Sequence, residues 1–119
     1  MRRVLVLGLV LGLMGAGAMI ASAGTGPDVV YGTAGDDDLR GGNGPDVVYG
    51  LAGNDVIHGN KAPDELYGGP GDDRLNGFGS GNAPDLLDGG AGFDRCTGTR
   101  GDTFVGCELV KIRKGLGSR

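Results

Sequence analysis

The chain has very few of the large side chains from which a hydrophobic core is usually built. It contains no tryptophan, three tyrosines, three phenylalanines and one histidine among 119 residues, whereas glycine occurs 28 times. Such a chain cannot bury enough apolar surface to offset the entropy of ordering its backbone, unless something besides a core holds it together. Composition alone would therefore indicate disorder.

Long apolar runs are also lacking, except for one at the N-terminus. Residues 4–20 carry no charge, follow the basic start Met-Arg-Arg and precede Ala-Ser-Ala at 21–23. This order is that of a secretory signal peptide, so we predict that residues 1–23 are cleaved after Ala23 and that the protein is secreted. The alternative is an uncleaved membrane anchor, although 17 residues containing four glycines are at the short limit for a span. Nothing later in the sequence predicts stable membrane insertion.

Basic residues are scarce in the predicted mature chain. Removing residues 1–23 leaves 96 residues that keep all 15 acidic side chains but only nine of the 11 basic ones, so the net charge is −6. Binding to phosphate backbones requires a basic surface, which argues against nucleic acid as a partner. An acidic chain is suited to binding cations.

A repeat of nine residues runs through almost the whole of this acidic part. The copies are separated at one point by a three-residue insertion, Gly-Phe-Gly at 77–79. The copies lie at 23–31, 32–40, 41–49, 50–58, 59–67, 68–76, 80–88, 89–97 and, in decayed form, 98–106.

Two positions of the repeat are nearly constant in character. The sixth position is aspartate in eight copies: Asp28, Asp37, Asp46, Asp55, Asp64, Asp73, Asp85 and Asp94. The eighth is apolar in all nine: Val30, Leu39, Val48, Ile57, Leu66, Leu75, Leu87, Cys96 and Val105. In the decayed copy Thr103 replaces the aspartate. A flexible glycine-rich linker is the alternative that composition suggests, but a linker has no reason to keep aspartate in one register.

The chemistry of each repeat position favours a metal-binding turn followed by a strand. Glycine-rich segments turn tightly because glycine tolerates positive φ, and the main-chain carbonyls can then point at one spot. An aspartate at the end of the turn adds a charged oxygen, and oxygens of these kinds are the ligands that Ca²⁺ selects. The next three residues form a short strand with its middle side chain pointing inward. One inward residue per repeat makes a thin core, so the cation has to contribute to folding.

The pattern G-G-x-G-x-D-x-U-x, seen in GGNGPDVVY at 41–49 and in GGAGFDRCT at 89–97, resembles the repeats-in-toxin (RTX), or haemolysin-type, calcium-binding repeat. The resemblance implies an all-β fold, a right-handed parallel β-roll in which two nonapeptides make one 18-residue turn. It implies several Ca²⁺ ions between the loops of adjacent turns, held by the eight repeat aspartates and by loop carbonyls. The roll would comprise residues 24–106, with 107–119 as a C-terminal cap and tail.

Odd and even copies differ, as a coil of two repeats per turn predicts. The fifth position is proline in four odd copies, and the ninth is Tyr31, Tyr49 or Tyr67 in three of them. Even copies keep glycine at the fourth position, whereas two odd copies have Ala62 and Ala83, which are costly if φ is positive. We therefore expect stronger sites on the even side.

The insertion and the decay of the last copy make the candidate sites unequal. The insertion lengthens the spacing of Asp64 to Asp85 and of Asp73 to Asp94 to 21 residues. Calcium sites that bridge these pairs are therefore in question. The most regular pairs are Asp37/Asp55 and Asp55/Asp73, followed by Asp28/Asp46.

Cysteine is limited to Cys96 and Cys107. An even number of cysteines in an exported chain predicts a disulfide, which would cap the open end of the roll; two free thiols are the alternative. The basic tail at 111–114 is expected to be a solvated end.

No arrangement in the sequence predicts catalysis. His58 stands alone at an outward strand position, and the carboxylates are fixed by the repeat, so we expect no enzyme. The leading hypothesis is extracellular Ca²⁺ binding that folds the roll, in a structural or buffering role. The alternative is a Ca²⁺-dependent interaction module whose odd face presents a strip of Tyr and Val side chains to a cell-wall polysaccharide, a protein partner or a second copy. The bland interpretation of that strip is ordinary packing along a ladder.

Overall fold

The computed structural model describes residues 3–6, 19–22, 25–79 and 83–114, and all regular elements in these ranges are β-strands. Most strands are three to six residues long, because the glycine-rich turns between them leave room for little more. The strands are β1 (Arg3–Val6), β2 (Met19–Ser22), β3 (Asp28–Tyr31), β4 (Asp37–Gly42), β5 (Val47–Tyr49), β6 (Val56–Asn60), β7 (Glu65–Tyr67), β8 (Arg74–Asn76), β9 (Leu86–Asp88), β10 (Arg95–Gly98), β11 (Thr103–Val105) and β12 (Leu109–Ile112).

The strands form two parallel six-stranded sheets. The odd sheet has the order β1-β3-β5-β7-β9-β11, and the even sheet has the order β12-β10-β8-β6-β4-β2. Consecutive strands therefore belong to opposite sheets, and each strand pairs with the strand one full turn away. This confirms the predicted β-roll of two repeats per turn, with odd and even copies on opposite sides.

A single row of apolar side chains from each sheet forms the core. The eighth repeat position points inward and is completely or almost completely buried from Val30 to Cys96. The cluster is Val30, Leu39, Val48, Ile57, Leu66, Leu75, Leu87 and Cys96, with Phe104 and Cys107 packed against its end. The inward position was predicted correctly for these eight copies.

The ninth copy is in a different register from the predicted one. Leu87 pairs with Phe104 and Asp88 with Val105, so Phe104 packs on the core, whereas Val105 is 47% exposed. The prediction that Val105 points inward, and that Thr103 stands in the aspartate position, is wrong. The copy has lost one loop residue, which shifts every following side chain to the opposite face.

A further strand lies in the segment predicted as cap and tail. Strand β12 pairs with β10 in parallel register, Cys96 opposite Val110, and so adds to the even sheet. Part of the predicted solvated end is therefore a strand, and the main-chain N–H of Arg113 still donates to the carbonyl of Gly98.

Strands β1 and β2 lie within residues 1–23. They pair with β3 and β4, so this segment contributes one strand to each sheet. The predicted cleavage point after Ala23 lies outside the described residues, and cleavage stays a prediction. Within the described chain, no helix is long and apolar enough to cross a membrane.

Candidate metal-binding loops

The loops stack at the two edges of the roll, and their backbone conformation repeats. Positive φ recurs at the second position, as in Gly69 (94°), and at the fourth, as in Gly53 (106°) and Gly71 (131°). A Cβ on Gly53 would lie 2.5 Å from the carbonyl oxygen of Gly35 one turn earlier. Glycine at the fourth position is therefore required twice, by its φ and by the close approach of the loops.

A continuous ladder of hydrogen bonds joins the repeat aspartates of successive turns. The main-chain N–H of each aspartate donates to a carboxylate oxygen of the aspartate in the following turn, at 2.8 to 3.0 Å. The pairs are Asp28 to Asp46, Asp37 to Asp55, Asp46 to Asp64, Asp55 to Asp73, Asp64 to Asp85, Asp73 to Asp94 and Asp85 to Asp102.

The ladder continues across the insertion. Both bonds that span 21 residues, Asp64 to Asp85 and Asp73 to Asp94, are 2.8 Å long, like the 18-residue bonds beside them. Gly77 lies against the Oδ2 of Asp85, as Gly68 does against that of Asp73, so the extra residues lengthen one odd loop only. The sequence placed calcium sites that bridge these pairs in question. The aspartate hydrogen bonds cross the insertion on both sides, and the sites themselves stay a prediction.

All eight repeat aspartates are buried, with 4% or less of their surface exposed. Their second carboxylate oxygen, Oδ2, lies where the first-position glycine lacks a side chain. A Cβ on Gly50 or Gly59 would lie 2.5 Å from the Oδ2 of Asp55 or Asp64 respectively. The glycine that begins each loop from Gly32 to Gly89 therefore makes room for a carboxylate.

The loops fall into two kinds according to what reaches this second oxygen. In one kind, threonine occupies the second position: the Thr33 N–H donates to the Asp37 Oδ2 at 2.6 Å, and its hydroxyl also reaches that carboxylate. In the other kind, the Oδ2 is buried without a hydrogen-bond partner. This second kind includes Asp55, Asp64, Asp73 and Asp94.

The conformation of the second loop residue accompanies this difference. In the loops with an unpartnered Oδ2, the second residue has a φ between 75° and 94°. These residues are Leu51, Asn60, Gly69 and Gly90. Neither Thr33 nor Thr99 is among the residues with positive φ. Sequence reasoning gave weight only to the fourth position; the second position was missed, although its preference for glycine was visible.

Burial raises the pKa of these carboxyls well above the ordinary value. Desolvation is the main cause: it raises the pKa of Asp55 to about 7, that of Asp64 to about 8 and that of Asp73 to about 6, against 3.8 for a free side chain. The N–H of the preceding aspartate lowers each pKa, and neighbouring carboxylates one turn away raise it. A cation bound between these carboxylates would favour their ionised forms and so lower the raised pKa values.

A second ladder exists on the even side alone. The fifth-position side chain accepts from the N–H of the fifth residue one turn later: Asp36 from Asn54 at 2.7 Å, Asn54 from Asp72 at 2.8 Å, and Asp72 from Phe93 at 2.9 Å. Odd loops have proline here, which carries no N–H to donate. Even loops are therefore joined by two ladders and odd loops by one.

The odd loop at 59–63 carries the backbone strain that the sequence predicted for Ala62, while the even loop of Asp55 has one strained residue, Leu51, at φ of 76°. Ala62 adopts φ of 73°, a conformation that costs roughly 1 kcal/mol or more for a residue with a Cβ. Asn60 in the same loop is also at positive φ, 75°. These costs fall on the loop that holds Asp64.

Two ladder residues at the C-terminal end were missed by sequence reasoning. Asp102 accepts from the Asp85 N–H at 3.0 Å and from the Thr99 N–H at 2.6 Å, and it takes the repeat position assigned to Thr103. Glu108 accepts from the Asp94 N–H at 2.7 Å and closes the even side. The signals were present as D-x-apolar in Asp-Thr-Phe and E-x-apolar in Glu-Leu-Val, offset from the nine-residue count.

A disulfide fixes this end. Cys96 and Cys107 are bonded, with their Cα atoms 5.9 Å apart, and no described cysteine is free. The bond joins the core position of β10 to the residue before Glu108, so it holds Glu108 against the last even loop. This is the pairing that two cysteines in an exported chain predicted.

No group of three or more His, Cys, Asp or Glu side chains converges on one point in the described part of the chain. The buried, unpartnered carboxylate oxygens nevertheless suit a hard cation, since Ca²⁺ is bound by carboxylate and main-chain carbonyl oxygens together. Glycine-rich loops supply such carbonyls close to each aspartate.

Comparison with known proteins is informative at the level of the repeat. The family model of the RTX calcium-binding nonapeptide repeat matches residues 20–48, 49–82 and 80–105. No curated protein and no solved structure matches the chain.

Replacing Asp102 distinguishes the observed register from the nine-residue count. Asp102→Ala removes the acceptor of the Asp85 and Thr99 N–H groups, so we expect it to lower the free energy of unfolding by about 1–3 kcal/mol. Thr103→Ala, at an exposed position, should change it by less than about 0.5 kcal/mol. Urea unfolding in saturating calcium measures both; a larger loss for Thr103→Ala would restore the simple count.

The raised pKa values predict that acid partly replaces the cation. The folded roll without metal binds more protons than the unfolded chain between about pH 4 and pH 8, because burial raises the pKa of Asp55 to about 7 and of Asp64 to about 8. Its stability must then fall as the pH rises through this window. Circular dichroism in excess EGTA should show more β-structure at about pH 5 than at about pH 8.

The same linkage applies to the metal. Binding that needs the ionised carboxylates should release protons and weaken as the pH falls below about 6. Calorimetric titration in two buffers of different ionisation enthalpy measures the proton release. An affinity for calcium that is unchanged between pH 5 and pH 8 would contradict the shifts.

Proposed function

Since the chain belongs to the RTX calcium-binding nonapeptide repeat family, we propose that it is an extracellular protein that binds several Ca²⁺ ions, folds on binding them and has a structural or buffering role. The β-roll and the family repeat together make it a calcium-binding repeat module. The extracellular location, the structural or buffering role and the residues that bind Ca²⁺ are proposals.

The observation that carries this proposal is the stack of buried carboxylates with one oxygen unpartnered. Asp55, Asp64, Asp73 and Asp94 each place an Oδ2 in the interior with no hydrogen-bond donor. Burying an ionised carboxylate is costly unless it is paired or coordinates a metal. A divalent cation between adjacent loops removes that cost, and it removes the repulsion between carboxylates one turn apart.

We assign the ligand role to all eight repeat aspartates, but not equally. Asp55, Asp73 and Asp94 combine an open Oδ2 with the doubly laddered even loops, so they are placed first. Asp64 follows, because its loop carries Ala62 at positive φ. Asp37 is placed lower than its regular spacing suggested, since Thr33 already donates to its carboxylate. The remaining ligands of each ion would be main-chain carbonyls.

Secretion is supported by two features of the chain. Residues 1–23 have the order of a signal peptide, and a disulfide joins Cys96 to Cys107, as is usual in oxidising compartments. Cleavage after Ala23 would remove β1 and β2 and leave β3 and β4 as the first strands of the two sheets. No arrangement of side chains points to catalysis; the single histidine, His58, faces outward and contacts Asn76 at 3.4 Å.

A calcium-dependent interaction module is the second candidate, and stacked tyrosines favour it. The rings of Tyr31 and Tyr49 lie 5.1 Å apart and those of Tyr49 and Tyr67 lie 5.0 Å apart, nearly parallel in both pairs. Val29 and Val47 lie beside them on the same odd face. Both distances are close to the spacing of neighbouring strands, about 4.7–4.9 Å.

Calcium should convert the mature chain from a largely unfolded state to the β-roll, because eight small core side chains cannot offset the entropy of ordering it. Circular dichroism of residues 24–119 should gain β-structure on titration with calcium, with midpoints of about 10⁻⁴–10⁻³ M, and lose it in EGTA. A complete β-spectrum in excess EGTA at neutral pH would show that the metal does not drive folding.

Matched variants connect this transition to the loops. Asp55→Asn removes the charge but keeps the Oδ1 acceptor of the Asp37 N–H, so it should lose calcium while keeping the ladder. Asp38→Asn makes the same change of charge on the outer face, beside Arg40, and should leave calcium binding unaltered. Isothermal titration should also show a smaller loss for Asp64→Asn than for Asp55→Asn; the reverse order would show that loop strain does not determine affinity.

The tyrosine strip can be tested by replacing Tyr31, Tyr49 and Tyr67 with serine. If the rings only pack, the triple variant should unfold more easily in calcium and no association should be lost. We expect this outcome, because stacked rings in a ladder each contribute about 0.5–1 kcal/mol. Unchanged stability together with a loss of self-association, or of binding to a cell-wall polysaccharide, would establish the interaction module instead. Chemical denaturation and analytical ultracentrifugation measure the two effects.

A further inference from the structure

The outer face of the even sheet carries cationic side chains that almost nothing balances. Arg74 on β8 lies directly opposite Arg95 on β10. Lys111 on β12 lies on the same face, opposite Thr97 of β10. Among the even strands β4, β6, β8, β10 and β12, the single outward carboxylate is Asp38, and its Oδ1 lies 3.6 Å from the Nε of Arg40. The chain as a whole has a net charge of −4, so this face is positively charged on a protein that is negative overall.

Neither Arg74 nor Arg95 forms an ion pair with a carboxylate of the described residues. Like charges directly opposite each other on neighbouring strands are destabilising. Within the described part of the chain, Arg40 and Asp38 form the one ion pair of this face. A bound anion would remove the repulsion between the two guanidiniums, since the planar fork of arginine suits bidentate contact with carboxylate, sulfate or phosphate oxygens.

A surface depression of about 370 Å³ lies at these two arginines. Its remaining lining comes from the polar residues His58, Asn76 and Thr97 and from Val56 and Leu75. No carboxylate lines it. The depression is larger than a single inorganic anion needs, and its neutral polar groups can exchange hydrogen bonds with hydroxyls.

We propose that this depression binds an acidic polysaccharide, with Arg74 and Arg95 holding a sulfate, phosphate or carboxylate group and the neighbouring polar side chains contacting sugar hydroxyls. A single-stranded nucleic acid is the competing polyanion. It usually requires aromatic rings on which bases stack, and the lining holds no phenylalanine, tyrosine or tryptophan.

The polysaccharide site forms only when the roll is folded, so this inference rests on the proposed function. Arg74 and Arg95 belong to different turns, and the parallel register of β8 and β10 brings them together. Polysaccharide binding should therefore need calcium in the same concentration range as folding. Acidic polymers also chelate calcium and could be bridged by it to the acidic loops, so the test has to separate the arginines from the loops.

Isothermal titration of the calcium-loaded mature protein with dextran sulfate, at buffered free calcium, tests the site. The double variant Arg74→Gln/Arg95→Gln should lower the affinity by at least about tenfold and flatten its dependence on salt, because two counterion-releasing contacts are lost. Among single variants, Arg95→Gln should cost several-fold. Arg40→Gln removes the same charge from the same face, at an arginine already neighbouring Asp38, and should cost less than about twofold.

Further measurements decide between the alternatives. Uncharged dextran should not bind, and inorganic sulfate should compete with dextran sulfate. Equal affinities for the parent and the double variant would show bridging by calcium and overturn the site. Oligothymidylate that binds the parent as tightly as dextran sulfate would overturn the choice of polysaccharide.

Dichroism in calcium shows whether each variant still forms the roll. Should a glutamine variant fail to reach the parent spectrum, Arg95→Lys decides the question: it keeps the charge but loses the fork, and an unchanged affinity would contradict bidentate binding. If the parent stays folded in EGTA and still binds dextran sulfate, the calcium proposal fails while this site stands.

Discussion

Register in this roll depends on one hydrogen bond, which the main-chain N–H of each repeat aspartate donates to the carboxylate of the next turn. The bond joins turns rather than neighbours along the chain, and its length stays between 2.7 and 3.0 Å whether it spans 18, 21, 17 or 14 residues. It takes the aspartate out of solvent to form. The structure is therefore ordered by the same groups that are most costly to bury.

Because of that cost, the apolar core and the aspartates of the loops have different roles in the fold. Eight small apolar side chains form the interior, and eight carboxylates are buried beside them. From Asp46 to Asp94 each carboxylate accepts the N–H of the previous turn through its Oδ1. In the described chain, the Oδ2 of Asp55, Asp64, Asp73 and Asp94 has no hydrogen-bond partner. Protonation or a cation can satisfy this second oxygen. If Ca²⁺ occupies the loops as proposed, folding and metal binding form one equilibrium rather than two.

The sequence was sufficient for everything that follows the nine-residue period and insufficient where the period breaks. The inward residues from Val30 to Cys96 follow from the count, and the two sheets and the tyrosine stack follow from the two-repeat turn that the family resemblance implies. Asp102 and Glu108 do not, because the chain keeps their place in space by dropping loop residues, and counting positions then leads to Thr103 instead. The second oxygen of Asp37 is a similar case: a threonine at the second loop position satisfies it, and nothing in the spacing distinguishes this loop from that of Asp55.

Because the ladder fixes register from turn to turn, loop length is free to vary and the two faces are free to diverge. The insertion after Asn76 lengthens one odd loop, while Asp73 and Asp94 pair across the even side as if nothing had been added. The outward side chains take no part in the ladder, so one sheet can display stacked tyrosines and the other opposed arginines on the same scaffold. Both rows exist only while the turns are in register. If that register needs Ca²⁺, as proposed, any surface built on the two faces depends on the cation as well.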